Sequence, residues 1–214
     1  MAKSNGISMS VIRRLPRYYR FLTELHSEGV LKISSTNLAS IMNVTASQVR
    51  QDLNCFGGFG HQGYGYCVED LKNEIENILG LNNNYQAVLL GAGNLGKAVA
   101  RHINFGERGF QLTAIFDRDP EKIGTELGGI IIRNDNEIYD YCRQNKTDAV
   151  FLCIPKNSVE NVIDKLYELG IRNFWNFSHY DIAKVYPDTV VENVHMSDSL
   201  MTLCYRINDS QKEN

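Results

Sequence analysis

The chain has 214 residues, 43% hydrophobic and 22% charged, the balance of a folded globular protein and not of a disordered or collagen-like one. No apolar run approaches the roughly 18 residues of a membrane span, and no unbroken apolar stretch precedes the first arginines, so neither a transmembrane helix nor a secretory signal is predicted. The formal net charge of -3 hides an asymmetry: residues 1–66 hold seven Lys/Arg against three acids, or +4, and the remainder holds fifteen against twenty-two, or -7.

A basic head on an acidic body points to an anionic partner at the head. The five cysteines (Cys55, Cys67, Cys142, Cys153 and Cys204) are odd in number and form no C-x-x-C pair. Free thiols in a reducing cytoplasm follow, and no Cys or His spacing predicts a metal site. The four N-x-[ST] sequons, at Asn43, Asn145, Asn176 and Asn208, are chance matches without a secretory signal.

Residues 8–28 read as helical. Ile12, Leu15, Tyr19, Leu22 and Leu25 recur at 3–4 spacing, Pro16 starts a new helical turn, and Gly29 ends the helix. A second helix is capped by Ser34 or Ser35, with Leu38 and Ile41 facing inward, and Asn43-Val44 makes a tight turn. Thr45-Ala46-Ser47-Gln48 then reads as a capping box, with Gln48 reaching back to the cap. Val49 and Leu53 take the buried face, which leaves Ser47, Gln48, Arg50 and Gln51 outside. Two helices joined by a turn, the second presenting Arg and Gln, have the layout of a helix-turn-helix over about 17–56. Arg reads guanine and Gln reads adenine through paired hydrogen bonds in the major groove.

From Phe56 to Tyr66 glycines alternate with aromatics, as in a hairpin wing beside a reading helix. Such a wing brings Gly60, His61, Gln62 and Tyr64 to the DNA backbone or minor groove. An acidic amphipathic helix over 68–79 and an asparagine-rich linker from Gly80 to Asn84 close a first domain, 1–80.

The second domain, 85–195, opens on a strand over 86–90 that runs into Gly91-Ala92-Gly93-Asn94-Leu95-Gly96 and a helix. This is G-x-G-x-x-G in its strand–turn–helix context. The first glycine makes the turn, the second admits a pyrophosphate, and the third packs helix on strand. The helix N-terminus offers its N–H groups to phosphate. A second strand over 112–116 delivers Asp117, 26 residues after Gly91. A carboxylate there accepts from a ribose 2′-OH and repels a 2′-phosphate, so NAD(H) is favoured over NADP(H). Further on, 135–144 is helical, 148–154 is a buried parallel strand, 158–169 is helical with Gly170 as its stop, and 171–177 is a strand. Nucleotides bind outside the carboxyl ends of such strands, which adds Cys153, Ile154, Pro155, Asn176 and Phe177 to the cofactor candidates.

Tyr180-Asp181-Ile182-Ala183-Lys184 spells the Y-x-x-x-K of short-chain dehydrogenases, but the glycine spacing and the place of Ser178 do not fit that family. None of the five histidines has an evident nucleophile beside it, so no catalytic set is predicted. Sensing is favoured over catalysis. The alternatives are an NAD-dependent oxidoreductase with an accessory winged helix, and a winged-helix sensor of a coenzyme A ester. A last helix over 197–207, with Ser197 as N-cap, carries Leu200, Leu203, Cys204 and Ile207 as an apolar stripe. It folds back on its own domain or docks on a second subunit. The dimerisation helix is assigned to 196–208, and 209–214 is a frayed tail.

Taken together, Arg14 to Arg20, Thr45 to Leu53, the wing, Ile78 to Leu81, Gly91 to Gly96, Phe116-Asp117 with Lys122-Ile123-Gly124, and Val191 to Val194 resemble the Rex family of redox-sensing repressors, in its clostridial branch. The resemblance implies an α/β fold: a winged helix, a Rossmann NAD(H)-binding domain and a domain-swapped C-terminal helix in a homodimer. It implies binding of palindromic operator DNA without cofactor or with NAD+, and release by NADH. It adds Ile123 to the cofactor residues and Arg14 to the DNA contacts. Many members have basic residues where Gln51, His61 and Gln62 stand here, an aspartate at His195 and a tyrosine at His102. In those members these last two positions, with an arginine matching Arg20, couple cofactor to domain orientation.

Overall fold

The computed structural model describes residues 7–57, 60–61 and 65–212, with Gly60 and His61 described by their backbone. Two units are distinguished, Met1–Asn83 and Asn84–Asn214, so the division falls within the expected asparagine linker.

In the first unit the stretch expected as one helix is two, α1 (Met9–Ile12) and α2 (Leu15–Ser27). Pro16, in the first turn of α2, is the reason: its ring would meet the carbonyl of Ile12 if the helix ran through. Strand β1 (Lys32–Ile33) follows Gly29, whose φ of 77° ends α2. Helix α3 (Ser35–Met42) is capped by Ser34, and Asn43 closes it in the left-handed region. Its inner face is Leu38, Ala39 and Met42; Ile41, expected inside, is exposed because the 38–42 row faces the core. Helix α4 (Ala46–Asn54) begins at Thr45, whose hydroxyl accepts from the Gln48 N–H at 3.1 Å. Only that half of the expected capping box forms, because the Gln48 side chain turns to Asp52 instead.

Strands β2 (Gly60–His61) and β3 (Gly65–Cys67) pair antiparallel, and β1 pairs with β3, giving the order β1-β3-β2. Gln62 and Tyr64 of the expected wing lie outside the described residues. Helix α5 (Val68–Leu79), stopped by Gly80, packs Val68, Leu71 and Ile75 into one core with Leu15, Tyr18, Leu22, Leu38, Val49 and Leu53.

The second unit is a seven-stranded sheet. Its members are β4 (Tyr85–Leu90), β5 (Phe110–Asp117), β6 (Glu126–Leu127), β7 (Ile130–Asn134), β8 (Ala149–Leu152), β9 (Asn173–Asn176) and β10 (Val190–Asn193). The order is β10-β9-β8-β4-β5-β7-β6, parallel except for the β6–β7 hairpin. Order reverses between β4 and β8, the doubly wound topology whose switch point is a nucleotide crevice. Residues alternate along β4: Val88 and Leu90 pack toward α7 (Ile138–Gln144), α8 (Lys156–Glu168) and α9 (Ile182–Val185), while Ala87 and Leu89 share a core with Val99 of α6 (Asn94–His102). Strand β8 is shorter than expected, and α8 begins two residues early because Pro155 sits at its N-cap.

The final helix, α10 (Met196–Ser210), starts one residue before the expected cap, with His195 and not Ser197 at the N-cap position. It reaches Ser210, so the first part of the expected tail is helical. None of its residues is buried: Leu200 is 62% exposed and Ile207 50%. It does not fold back on its own unit. Among the described residues no helix is long and apolar enough to cross a membrane.

Candidate DNA-reading helix and nucleotide cleft

Along α4 the 3–4 spacing of Val49, Asp52 and Leu53 buries one face. Ser47, Arg50 and Gln51 are exposed on the other, as expected. The Arg50 guanidinium donates to Ser35 Oγ at 3.1 Å, which steadies it without burying it. Arg13, Arg17 and Arg20 are exposed on the α1–α2 corner, and the guanidiniums of Arg17 and Arg20 flank the Phe21 ring at 5.8 and 5.2 Å.

Two expected DNA contacts are engaged elsewhere. Arg14 grips Asp52 through two hydrogen bonds, Nε to Oδ2 at 2.7 Å and Nη2 to Oδ1 at 2.6 Å. Gln48 Nε2 donates to Asp52 Oδ1 at 2.8 Å, and the Tyr18 hydroxyl donates to Oδ2 at 3.1 Å. Burial pushes the Asp52 carboxyl up, but hydrogen bonds from Arg14, Gln48 and Tyr18 outweigh it and hold the group below the usual carboxylate range. Burial first, then the Asp52 charge, raises the Tyr18 phenol, which therefore stays a donor. Asp52 was not among the expected site residues. Its place on the Val49–Leu53 stripe was the signal: an acid at a core position needs partners.

In the second unit the glycine loop crosses from β4 to α6. Gly91 has φ 101°, and a Cβ there would lie 2.6 Å from the Cys153 carbonyl oxygen. A Cβ on Gly96 would lie 1.8 Å from the Gly91 oxygen, so the helix lies directly on the turn. A Cβ on Gly93 meets nothing within 4 Å. The protein's own packing does not require a glycine there.

Asp117, buried at the end of β5, accepts from the Ala92 N–H at 2.6 Å and from the Asp119 N–H at 2.9 Å. Lys122 Nζ stands 3.5 Å from Asp117 and 3.0 Å from Asp119. The carboxylate thus braces the glycine loop, and its remaining lone pairs are available to a ribose hydroxyl. Gly91, Gly93, Asp117, Cys153, Ile154 and Pro155 line one cleft of about 290 Å³. Leu90, Arg118, Lys122, Asp135, Ser158, Asn161 and Val162, unexpected from the sequence, complete it. Arg118 reaches across to Ser158 Oγ at 3.2 Å.

Asn94 and Leu95 form the first turn of α6, and Ala92 is buried beneath it. Ile123, Asn176 and Phe177 do not line the cleft. Asn176 is buried: its amide donates to the Tyr180 carbonyl and to Asn193 Oδ1, and its oxygen accepts twice from Ser178. Phe177 packs edge-on against Trp175 at 4.6 Å. The Ser178 hydroxyl is spent on Asn176, so the Y-x-x-x-K match has no free serine beside it.

The switch residues fall in different surroundings. Arg20 is exposed on α2, and His102 is exposed in the last turn of α6. His195 Nδ1 lies 3.3 Å from Nδ1 of His179, a partner the sequence did not announce.

Burial pushes the Cys153 thiol up to about 12, so at neutral pH it is a protonated, unreactive wall of the cleft. With iodoacetamide at pH 8, exposed Cys55 and Cys204 are expected to be alkylated first and Cys153 last, as read by peptide mass spectrometry. Early labelling of Cys153 would contradict this.

Residues 6–54 match the family model of a putative DNA-binding protein N-terminus, and residues 82–180 match that of a CoA binding domain. The chain is 48% identical over 211 residues to the redox-sensing transcriptional repressor Rex of Thermoanaerobacter pseudethanolicus, covering 99% of this chain and 94% of that one. It is 47% identical to the Rex of Clostridium botulinum (strain Eklund 17B / Type B), covering 99% and 100%. Among solved structures, RSP in complex with β-NAD+ and operator DNA superposes with TM-score 0.88 at 47% identity, covering 97% of this chain and 95% of that one. RSP in complex with β-NADH superposes with TM-score 0.87 at 45% identity, covering 97% of each. Near-full-length identity of this order, over a reading helix followed by a dinucleotide loop, places the chain in the Rex family of redox-sensing transcriptional repressors, regulators and not enzymes.

Proposed function

We propose that this chain senses the cytoplasmic NADH/NAD+ ratio and represses transcription as a homodimer. It holds palindromic operator DNA in the apo or NAD+ state and releases it when NADH binds. The observation that carries the reading is the open Gly93 in the loop between β4 and α6, beside the Asp117 carboxylate, on a chain that also presents α4. Phosphates meet the α6 N-terminus, which has no side-chain cap, and Gly91 and Gly93 with Cys153, Ile154 and Pro155 wall the site. Arg118 and Lys122 lie at the Asp117 end. On the DNA side Ser47, Arg50 and Gln51 face the major groove, and the wing at Gly60 and His61 lies alongside.

The dimer rests on α10. Its stripe of Leu200, Leu203 and Ile207 is exposed among the described residues, and Ile103, Phe105, Phe110, Phe151, Trp175 and Val190 line an apolar groove of about 550 Å³ on the same unit. The partner's α10 fills that groove and this chain's α10 fills the partner's, an isologous exchange. NADH releases DNA only if it binds the DNA-incompetent arrangement more tightly, and by reciprocity DNA weakens NADH binding by the same factor.

The test is a gel shift on a palindromic duplex, selected by the protein from a random pool, with NAD+, NADH, NADP+ and coenzyme A added in turn. Release by NADH alone is expected; release only by another nucleotide contradicts the reading. In the same assay Arg50→Ala is expected to weaken binding by about 1–3 kcal/mol at fixed salt. Unchanged affinity would remove Arg50 from the base contacts.

A further inference from the structure

Four donors converge on the carboxylate of Asp52. Two belong to Arg14, at the junction of α1 and α2; one to Tyr18, a turn further along α2; one to Gln48, a turn back along α4. The Asp52 side chain is 1% exposed and that of Arg14 32%.

Val49 and Leu53 already hold α4 to the core, so burial of apolar surface accounts for its attachment. Apolar contacts tolerate small slides and rotations. A planar guanidinium gripping both oxygens of a carboxylate does not: the fork fixes distance, plane and direction together. Because Asp52 is on the inner face of α4 and Arg50 on the outer, any roll of the helix about its axis moves both. The amide of Gln48 is held by the same carboxylate, so its orientation is set from inside the protein.

We propose that Arg14 and Asp52 are a positioning pair that sets the rotation of α4, and so the sequence discrimination of the protein, without touching DNA. The proposal rests on the reading that α4 contacts bases. It removes Arg14 from the expected DNA contacts and makes Gln48 a residue whose amide is oriented by Asp52.

Asp52→Asn keeps the shape but replaces one acceptor oxygen with a donor that faces the donors of Arg14 or Gln48. Arg14→Lys keeps the charge but loses the fork. Both variants of the full chain are compared with wild type on the pool-selected duplex and on a scrambled duplex of equal length. Affinities are measured at two salt concentrations and at a temperature where circular dichroism shows each variant folded. The expected result for both is a loss of about 10- to 100-fold on the selected duplex. The scrambled duplex should stay within about twofold, with an unchanged salt slope, because the phosphate contacts remain.

Arg14→Lys is the second safeguard, since it leaves no buried charge unpaired. Equal loss on both duplexes with a shallower salt slope would make Arg14 a phosphate contact and overturn the proposal. So would wild-type discrimination in both variants. A wild-type chain that does not separate the two duplexes would instead overturn the reading of α4 itself, and the pairing role with it.

Discussion

Gly96→Ala is expected to cost the second unit about 3 kcal/mol or more and to abolish nucleotide binding, whereas Gly93→Val is expected to leave the fold intact and abolish the nucleotide response alone. The two glycines share a motif, but their surroundings differ. A methyl on Gly96 would lie 1.8 Å from the Gly91 carbonyl oxygen, a backbone atom of the turn, so α6 must lift off β4. The expected fall in Tm is about 10 °C. At Gly93 the backbone is extended, with φ -71°, and open space surrounds the missing side chain. Valine fits there in the empty protein and stands where a pyrophosphate would lie. The variant should keep its Tm within a few degrees, still shift operator DNA and fail to release it at any NADH concentration. Thermal unfolding and an NADH titration of the gel shift separate the cases. A Gly93→Val protein that releases normally would place the phosphates elsewhere.

The second large effect is expected from α10. Leu200→Glu with Leu203→Glu should yield a monomer in sedimentation while the Tm of the monomeric unit hardly moves, because these side chains are 62% and 51% exposed on their own chain. Operator affinity should fall by about 100-fold or more, since two half-sites bound by linked subunits gain an effective concentration that separate subunits lack. A dimer that survives both glutamates would assign dimerisation to another face and leave the exposed stripe without a partner.

Local rules carried far into this structure. The cap at Thr45, the stops at Gly29 and Gly170, and the glycine loop were all legible, because each depends on a few neighbouring residues. Periodicity was less reliable at its margins: the stripe through Leu38 continues to Met42 and not to Ile41. Long-range partners were the real gap. Arg14 and Asp52 are 38 positions apart, and nothing local says that a basic residue in a basic head is spent on an acid. Asn176 illustrates the converse. Its position at the carboxyl end of a strand is right for a nucleotide neighbour, but its amide is used up by Tyr180, Asn193 and Ser178, a matter of side-chain direction that strand position does not reveal. Likewise Arg118, just after β5, and Ser158 and Asn161, both on α8, meet only through the sheet's order.

Strand β10 ends at Asn193, and α10 begins three residues later at Met196, from the same carboxyl edge of the sheet that carries the glycine loop. The connection is too short to absorb much movement. A 15-residue helix is about 22 Å long at 1.5 Å per residue. By that geometry a tilt of about 5° at its base sweeps its far end through about 2 Å. The final helix is thus a lever with its fulcrum at His195, long enough to turn a small adjustment at the sheet edge into a far larger displacement at its free end.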